Sequence, residues 1–246
     1  MKSLRFTLSG PAACFRQPDV NTMVYFTYNN VHKVALLGLL GAVLGLRGYC
    51  NTKLYGLEEY VYPEFYEVLS PLLVSVVPNG QNGYFAKKLQ YFNNSVGYAS
   101  KEEGGNLQVR EQWLENPNWT VFLAQHELAD DVWHKLCDYL LHGKCVYIPY
   151  LGRNDFPAQI DEVQLVELSS SCLPRIHSLF LYGGDLKDLD GGGPSQYLFV
   201  ETAPTALAPK HNFYEFGRYL FTNCTVPQEV LPTQLYTDSE RQYSFY

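Results

Sequence analysis

The residues best suited to act on another molecule are basic side chains set among aromatics and amides between Gln81 and Trp113. Lys87, Lys88, Lys101 and Arg110 can neutralise phosphates. Tyr84, Phe85, Tyr91, Phe92 and Tyr98 can stack on bases, each stack being worth about 1–3 kcal/mol. Asn93, Asn94 and Ser95 can hydrogen-bond a nucleic-acid backbone or a base edge. Glu102 and Glu103 dilute the charge, as they would in a solvated hairpin that touches only a protein neighbour. An earlier set, His32 and Lys33 with Tyr25 or Tyr28, has the residue types for RNA cleavage without metal. A Tyr or His would take the proton of the 2′-hydroxyl and the Lys would stabilise the phosphate charge. The same groups can simply hold a phosphate, and that reading is preferred. His134, Cys137, His142 and Cys145 are spaced like metal ligands but fit no compact zinc pattern, so no metal is expected. Gly191-Gly192-Gly193 could let a phosphate backbone approach, although a flexible hairpin loop accounts for it more simply. No nucleotide-binding, hydrolase or zinc-protease motif is present, and no cofactor is expected.

The elements that must position these groups are legible in part. Val34 to Leu46 carries no polar side chain and reads as a helix buried on nearly all sides, capped by Asn29 or Asn30. Gly38, Gly41 and Gly45 fall on one side of it, which predicts a sheet packed very close there. Its first turn, with His32 and Lys33, would offer free N–H groups to an anion. Gly48 ends it, with Arg47 in the last turn. Ser3 to Ser9 alternates as a strand before it. Glu67–Val77 reads as a second strand, with Pro71 marking an edge or bulge. Gln81–Trp113 reads as a projecting hairpin insertion. Asn118–Gln125 is a third strand, Glu127–His142 an amphipathic helix, Cys145–Tyr150 a short β-like piece and Glu162–Leu168 a fourth strand. This strand–helix–strand–strand–helix–strand order predicts an α+β, ferredoxin-like (βαββαβ) domain over residues 1–168. RNA-recognition domains share that order. Ile176–Tyr182, Gln196–Thr202 and Phe213–Thr222 are β-like, so 169–246 reads as a small β extension.

Composition narrows the class. The chain has 246 residues, 46% of them hydrophobic, and 20 tyrosines, which marks a globular protein with surface for binding. No apolar leader or membrane-spanning run is visible, and the six cysteines are scattered, so a reduced cytoplasmic setting is expected. The net charge of −7 argues against nucleic acid, but its distribution does not. Met1–Lys53 holds six bases against one acid, a net of +5, and leaves −12 for the remainder. Such asymmetry fits either a polyanion-binding face or a solvated basic one.

FRQPDVNTMVYFTYNNVHKVALLGLLGAVLGLRGY (Phe15–Tyr49) resembles the N-terminal block of the Cas-five family, CRISPR-associated subunits of type I Cascade surveillance complexes. FNNSVGYAS (Phe92–Ser100), GGNLQVREQWL (Gly104–Leu114) and YIPYLGRNDFPAQI (Tyr147–Ile160) agree with the same family in the same order, closest to its type I-B branch. The resemblance implies a ferredoxin-like domain with a protruding thumb, here 81–113. It also implies a non-catalytic subunit that holds the 5′ handle of the guide RNA (crRNA). As partners it implies the Cas-seven filament, which the subunit caps, and the large Cas-eight subunit; it leaves open contact with target DNA near the protospacer-adjacent motif. The handle-binding face would be the loop and helix start carrying Arg16, Gln17, Asn21, Tyr28, Asn30, His32 and Lys33. Arg47 joins them, with Lys87, Lys88, Tyr91, Asn93, Asn94, Ser95, Tyr98 and Arg110 on the thumb. In the type I-C branch the corresponding protein cuts the guide precursor with a Tyr, a Lys and a His; here Lys87-Lys88 has no adjacent His. In the I-B branch a separate Cas-six enzyme does the cutting.

Overall fold

A computed structural model describes residues 1–18, 23–49, 62–95, 97–98, 101–191 and 193–246. Along the chain run β1 (Lys2–Ser9), β2 (Ala12–Ala13), α1 (Lys33–Leu44), α2 (Glu64–Leu69), β3 (Leu73–Pro78), β4 (Lys87–Asn93), β5 (Gln108–Glu115), β6 (Asn118–Ala124), α3 (Asp130–Leu141) and β7 (Gln159–Glu167). Then come β8 (Ser169–Ser170), β9 (Phe180–Leu181), β10 (Leu198–Leu207), β11 (Tyr214–Thr222), β12 (Leu235–Thr237) and β13 (Gln242–Ser244).

Alternation in β1 sends Leu4, Phe6 and Leu8 wholly into the core. That makes β1 a central strand: it pairs antiparallel with β6 on one side and β7 on the other. β3 completes a four-stranded sheet in the order β3-β6-β1-β7. With α1 between β1 and β3, and α3 between β6 and β7, the chain follows the expected split βαβ order in a mixed α+β fold. α1 shares its core with Phe6, Trp119 and Val121 of the sheet and with Leu136 of α3. Below the other face, Phe122 meets Tyr243 at 4.4 Å between ring centres, so the last residues of the chain seal that side. The 169–246 segment also enters the main core directly through Phe199, Ala203, Leu207 and Phe221. Its Tyr246 backbone pairs in both directions with Val74 of β3.

The buried helix is found, but its surroundings differ from the expectation. Among the described residues, no sheet lies against its glycines. A Cβ on Gly41 would sit 2.6 Å from the Cβ of Phe65, so it is α2 that presses there. Gly45, in the left-handed region at φ 80°, ends the helix three residues before Gly48. The cap is neither Asn29 nor Asn30: His32 Nδ1 accepts from the Ala35 N–H at 3.3 Å. α2 occupies the start of what the sequence suggested was a strand. Pro63 precedes it, Glu64 and Glu67 favour its positive end, and Phe65, Tyr66 and Leu69 recur at helical spacing toward the core. Pro71 lies in the turn before β3. Cys145–Tyr150 forms no strand; its backbone docks on the end of α1, Val146 and Tyr147 donating to the Val43 and Ala42 carbonyls.

Candidate nucleic-acid interface

The expected insertion is a hairpin. β4 pairs with β5 from Lys87↔Leu114 to Asn93↔Gln108, and β2 extends the sheet on the other side of β5. Strand periodicity then sorts its side chains. Lys87, Leu89, Tyr91 and Asn93 share one face with Gln108, Arg110 and Gln112. Lys88, Gln90 and Phe92 share the other with Val109, Glu111 and Trp113. Lys88 is therefore separated from Lys87, Tyr91 and Arg110, with which the sequence grouped it.

A second ribbon leans on this hairpin. Arg16 bridges Thr27, the Gln17 N–H donates to the Phe26 carbonyl, and Tyr25 bridges Glu111 in parallel. Tyr25 thereby joins β5, with its N–H on the Arg110 carbonyl and its carbonyl accepting from Gln112. Between the two lies a groove of about 610 Å³, lined by Arg16, Tyr25, Phe92, Asn94, Arg110 and Arg153 among others. The Arg16 guanidinium lies 3.4 Å from the centre of the Tyr25 ring, and that of Arg110 lies 5.3 Å from the Tyr91 ring. Among the described residues, neither arginine forms an ion pair with a carboxylate. Planar cations on aromatic faces beside open space suit stacking on bases and pairing with phosphates. Cys14, also on the groove, is no nucleophile, because burial, with Glu111 nearby, pushes its thiol up to about 11.

The remaining sequence candidates scatter. Tyr28, Asn30 and His32 are buried, which corrects their placement on an RNA-facing surface. Asn30 Oδ1 accepts from the Trp119 indole at 2.9 Å. The His32 ring stands edge-on among Tyr28, Phe15 and Tyr214, and burial lowers its pKa to about 3. Lys33 turns its ammonium to the Tyr246 carbonyl at 3.1 Å, and burial brings it down to about 8. The helix start is thus packed shut rather than presented to an anion. Arg47 lies apart, on an apolar pocket of about 530 Å³ along α1, with its N–H on Glu64. Lys87 reaches the Thr27 carbonyl at 3.4 Å; burial lowers its pKa, against the pull of Glu201. Asn93 and Ser95 brace the hairpin end, the Asn93 carboxamide taking the Ser95 N–H and the Ser95 hydroxyl taking that of Leu107. Tyr98 is 74% exposed beyond them. Asn21 lies outside the described residues.

Sequence reasoning missed Arg153. Its guanidinium is paired with Glu111 and Asp155 and ringed by Phe92, Trp113 and Phe156. The one signal was its place in the Tyr147–Ile160 block. Of the metal-like set, Cys137 is buried with its thiol raised to about 11, and His142 sits on Asp138 at 2.9 Å. No three His, Cys, Asp or Glu side chains gather as a metal site among the described residues. Among them, too, no helix is long and apolar enough to cross a membrane.

Fold and groove together define a class: a mixed α+β protein built on a four-stranded antiparallel sheet with smaller sheets beside it, and a hairpin flanked by a basic, aromatic groove. The chain belongs to the family described as CRISPR-associated protein (Cas_Cas5), whose model matches residues 3–185. No curated protein matches it. In fold it is similar to a chain of a solved "CRISPR RNA-guided surveillance complex", with a TM-score of 0.55 at 13% identity over 94% of this chain and 93% of that one. A CRISPR protein from Archaeoglobus fulgidus aligns over 99% of this chain and 98% of its own at 11% identity, with a TM-score of 0.49.

Proposed function

We propose that the protein is a non-catalytic, RNA-binding subunit of a type I Cascade surveillance complex, of the I-B kind. In this reading it holds the 5′ handle of the crRNA in the groove between the hairpin and the Arg16–Thr27 ribbon. There it caps the Cas-seven filament, meets the Cas-eight subunit and serves crRNA-guided binding of foreign DNA. The observation that carries the reading is the groove itself, lined by Arg16, which lies against Tyr25, and by Arg110 of β5; among the described residues neither arginine is paired with a carboxylate. Family membership and the likeness to a surveillance-complex chain support the assembly. Against endonucleolytic cleavage stands the packing of Tyr28, His32 and Lys33, the groups best suited to it. A general base must reach the proton it takes, and Tyr28 and His32 are shut inside the core.

The test is incubation of the full chain, in EDTA, with labelled precursor crRNA, run on native and denaturing gels together. The expected result is a shifted band whose RNA is intact. A specific cut would replace this reading with ribonuclease activity. If neither appears, the same assay with Cas-seven decides, and RNA still unbound there would end the proposal.

A further inference from the structure

We propose that Arg153, gripped by Glu111, is a positioning residue: it locks the hairpin to the 149–157 loop and sets the shape of the groove that receives RNA. The inference rests on the RNA-binding reading above. Arg153 is a cation on an RNA-facing groove, so a direct phosphate contact would be the obvious role. Its surroundings say otherwise. One end of the guanidinium fork donates to Glu111 and the other to Asp155 at 2.9 Å. Its flanks are taken by Phe92, Trp113 and Phe156, whose ring centres lie 5.5, 5.6 and 5.7 Å away. Glu111 is only 8% exposed and also accepts from the Trp113 indole at 3.0 Å. A buried carboxylate whose Oε2 takes two donors, facing an arginine bound at both ends of its fork, is a fastening rather than a vacant ligand site.

The parts it fastens are the two walls of the groove. Glu111, Phe92 and Trp113 belong to the hairpin; Asp155 and Phe156 belong to the loop, and Trp113 and Phe156 pack at 4.8 Å. The loop is in turn pressed on the ribbon. Leu151 accepts from the Cys14 N–H at 3.0 Å, and a Cβ at Gly152, held at φ 82°, would lie 1.9 Å from the Cys14 carbonyl oxygen. Arg153 therefore ties the β4–β5 wall, through the loop, to the wall that begins at Cys14 and carries Arg16.

Two variants of the full chain, Glu111→Gln and Arg153→Lys, separate positioning from phosphate contact. Binding of labelled crRNA would be measured across a salt series, with amide exchange of the hairpin read in parallel. Glu111→Gln removes a negative charge from a polyanion site. If Glu111 merely restrained a phosphate-binding Arg153, that variant would bind RNA more tightly. Positioning gives the opposite sign: about fivefold or greater weakening in both variants, a coupling of ordinary size, with the dependence on salt unchanged. Exchange over Lys87–Asn93 should be faster in both. Arg153→Lys keeps the charge and loses the planar fork, and it is the milder variant should Glu111→Gln fail to fold. Tighter or unaltered binding by Glu111→Gln, or native affinity in Arg153→Lys, would overturn the inference. RNA bound by neither the variants nor the unaltered chain, with Cas-seven present as well, would instead remove the RNA-binding reading, and unchanged exchange would then dispose of the lock itself.

Discussion

Replacing Arg16 and Arg110 together by alanine is expected to lower affinity for crRNA about 100-fold near physiological salt while leaving the fold intact. Each guanidinium is without a carboxylate partner among the described residues and stacks on an aromatic ring, so nothing in the core depends on it. A hydrogen bond to a charged group contributes about 1.5–3 kcal/mol, and two losses at the lower end of that range, as suits exposed groups, amount to roughly two powers of ten. Losing two phosphate contacts to a single strand should also flatten the slope of log affinity against log salt by about 1.4. Binding titrations at four or five salt concentrations give both numbers. A parallel loss with the slope kept would mean that the arginines stack on bases without touching phosphate. Native affinity in the double variant would mean that the groove is not the RNA site.

Acid should destabilise the protein through His32. The ring caps α1 in its neutral form and is enclosed by Phe15, Tyr28 and Tyr214, with Glu201 on the same small cavity. Burial holds its pKa at about 3, against 6.5 for an exposed histidine. Because the folded value lies below the unfolded one, the unfolded chain binds the extra proton between these two pH values. Stability from this group is therefore complete above pH 6.5 and falls as the pH drops through the window toward 3, by about 1.4 kcal/mol per unit. Near pH 4.5 the loss is about 3 kcal/mol, a large share of a domain's stability. His32→Asn keeps a side-chain acceptor for the helix N-terminus and cannot titrate. Urea unfolding at several pH values should give the variant a slope shallower by about one proton. An identical slope would mean that His32 is not the responsible group.

What could be read from the sequence, and what could not, divides along a physical line. β1 was legible because one buried face sends Leu4, Phe6 and Leu8 inward in strict alternation, a local signal. The hairpin was legible because a long polar, aromatic stretch between two apolar strands has no core to join. α2 was not, since Glu67–Val77 is one short apolar run in which helix and strand look alike until Pro71 is placed in a turn. The polar candidates failed for a related reason. Asn30 and His32 are the residue types that bind RNA, yet each satisfies a buried partner that is distant in sequence or hidden by the fold: Trp119 is 89 positions from Asn30. Arg153 shows the reverse, because its meaning depends on Glu111, 42 positions away on another element. Residue type announces what a group can do; the extended backbone of β4, which starts at Lys87, decided that Lys87 and Lys88 face opposite ways.

The most direct measurement is photo-crosslinking of crRNA carrying 4-thiouridine in its 5′ handle to the assembled complex, with the attached peptides of this subunit mapped by mass spectrometry. The expected result is attachment within Phe15–Tyr28 and Lys87–Arg110, with Tyr25 and Phe92 at the groove among the sites, lost when Arg16 and Arg110 are replaced. Attachment confined to the start of α1 or to the β10–β11 sheet, with the groove unmarked, would contradict the placement of the RNA.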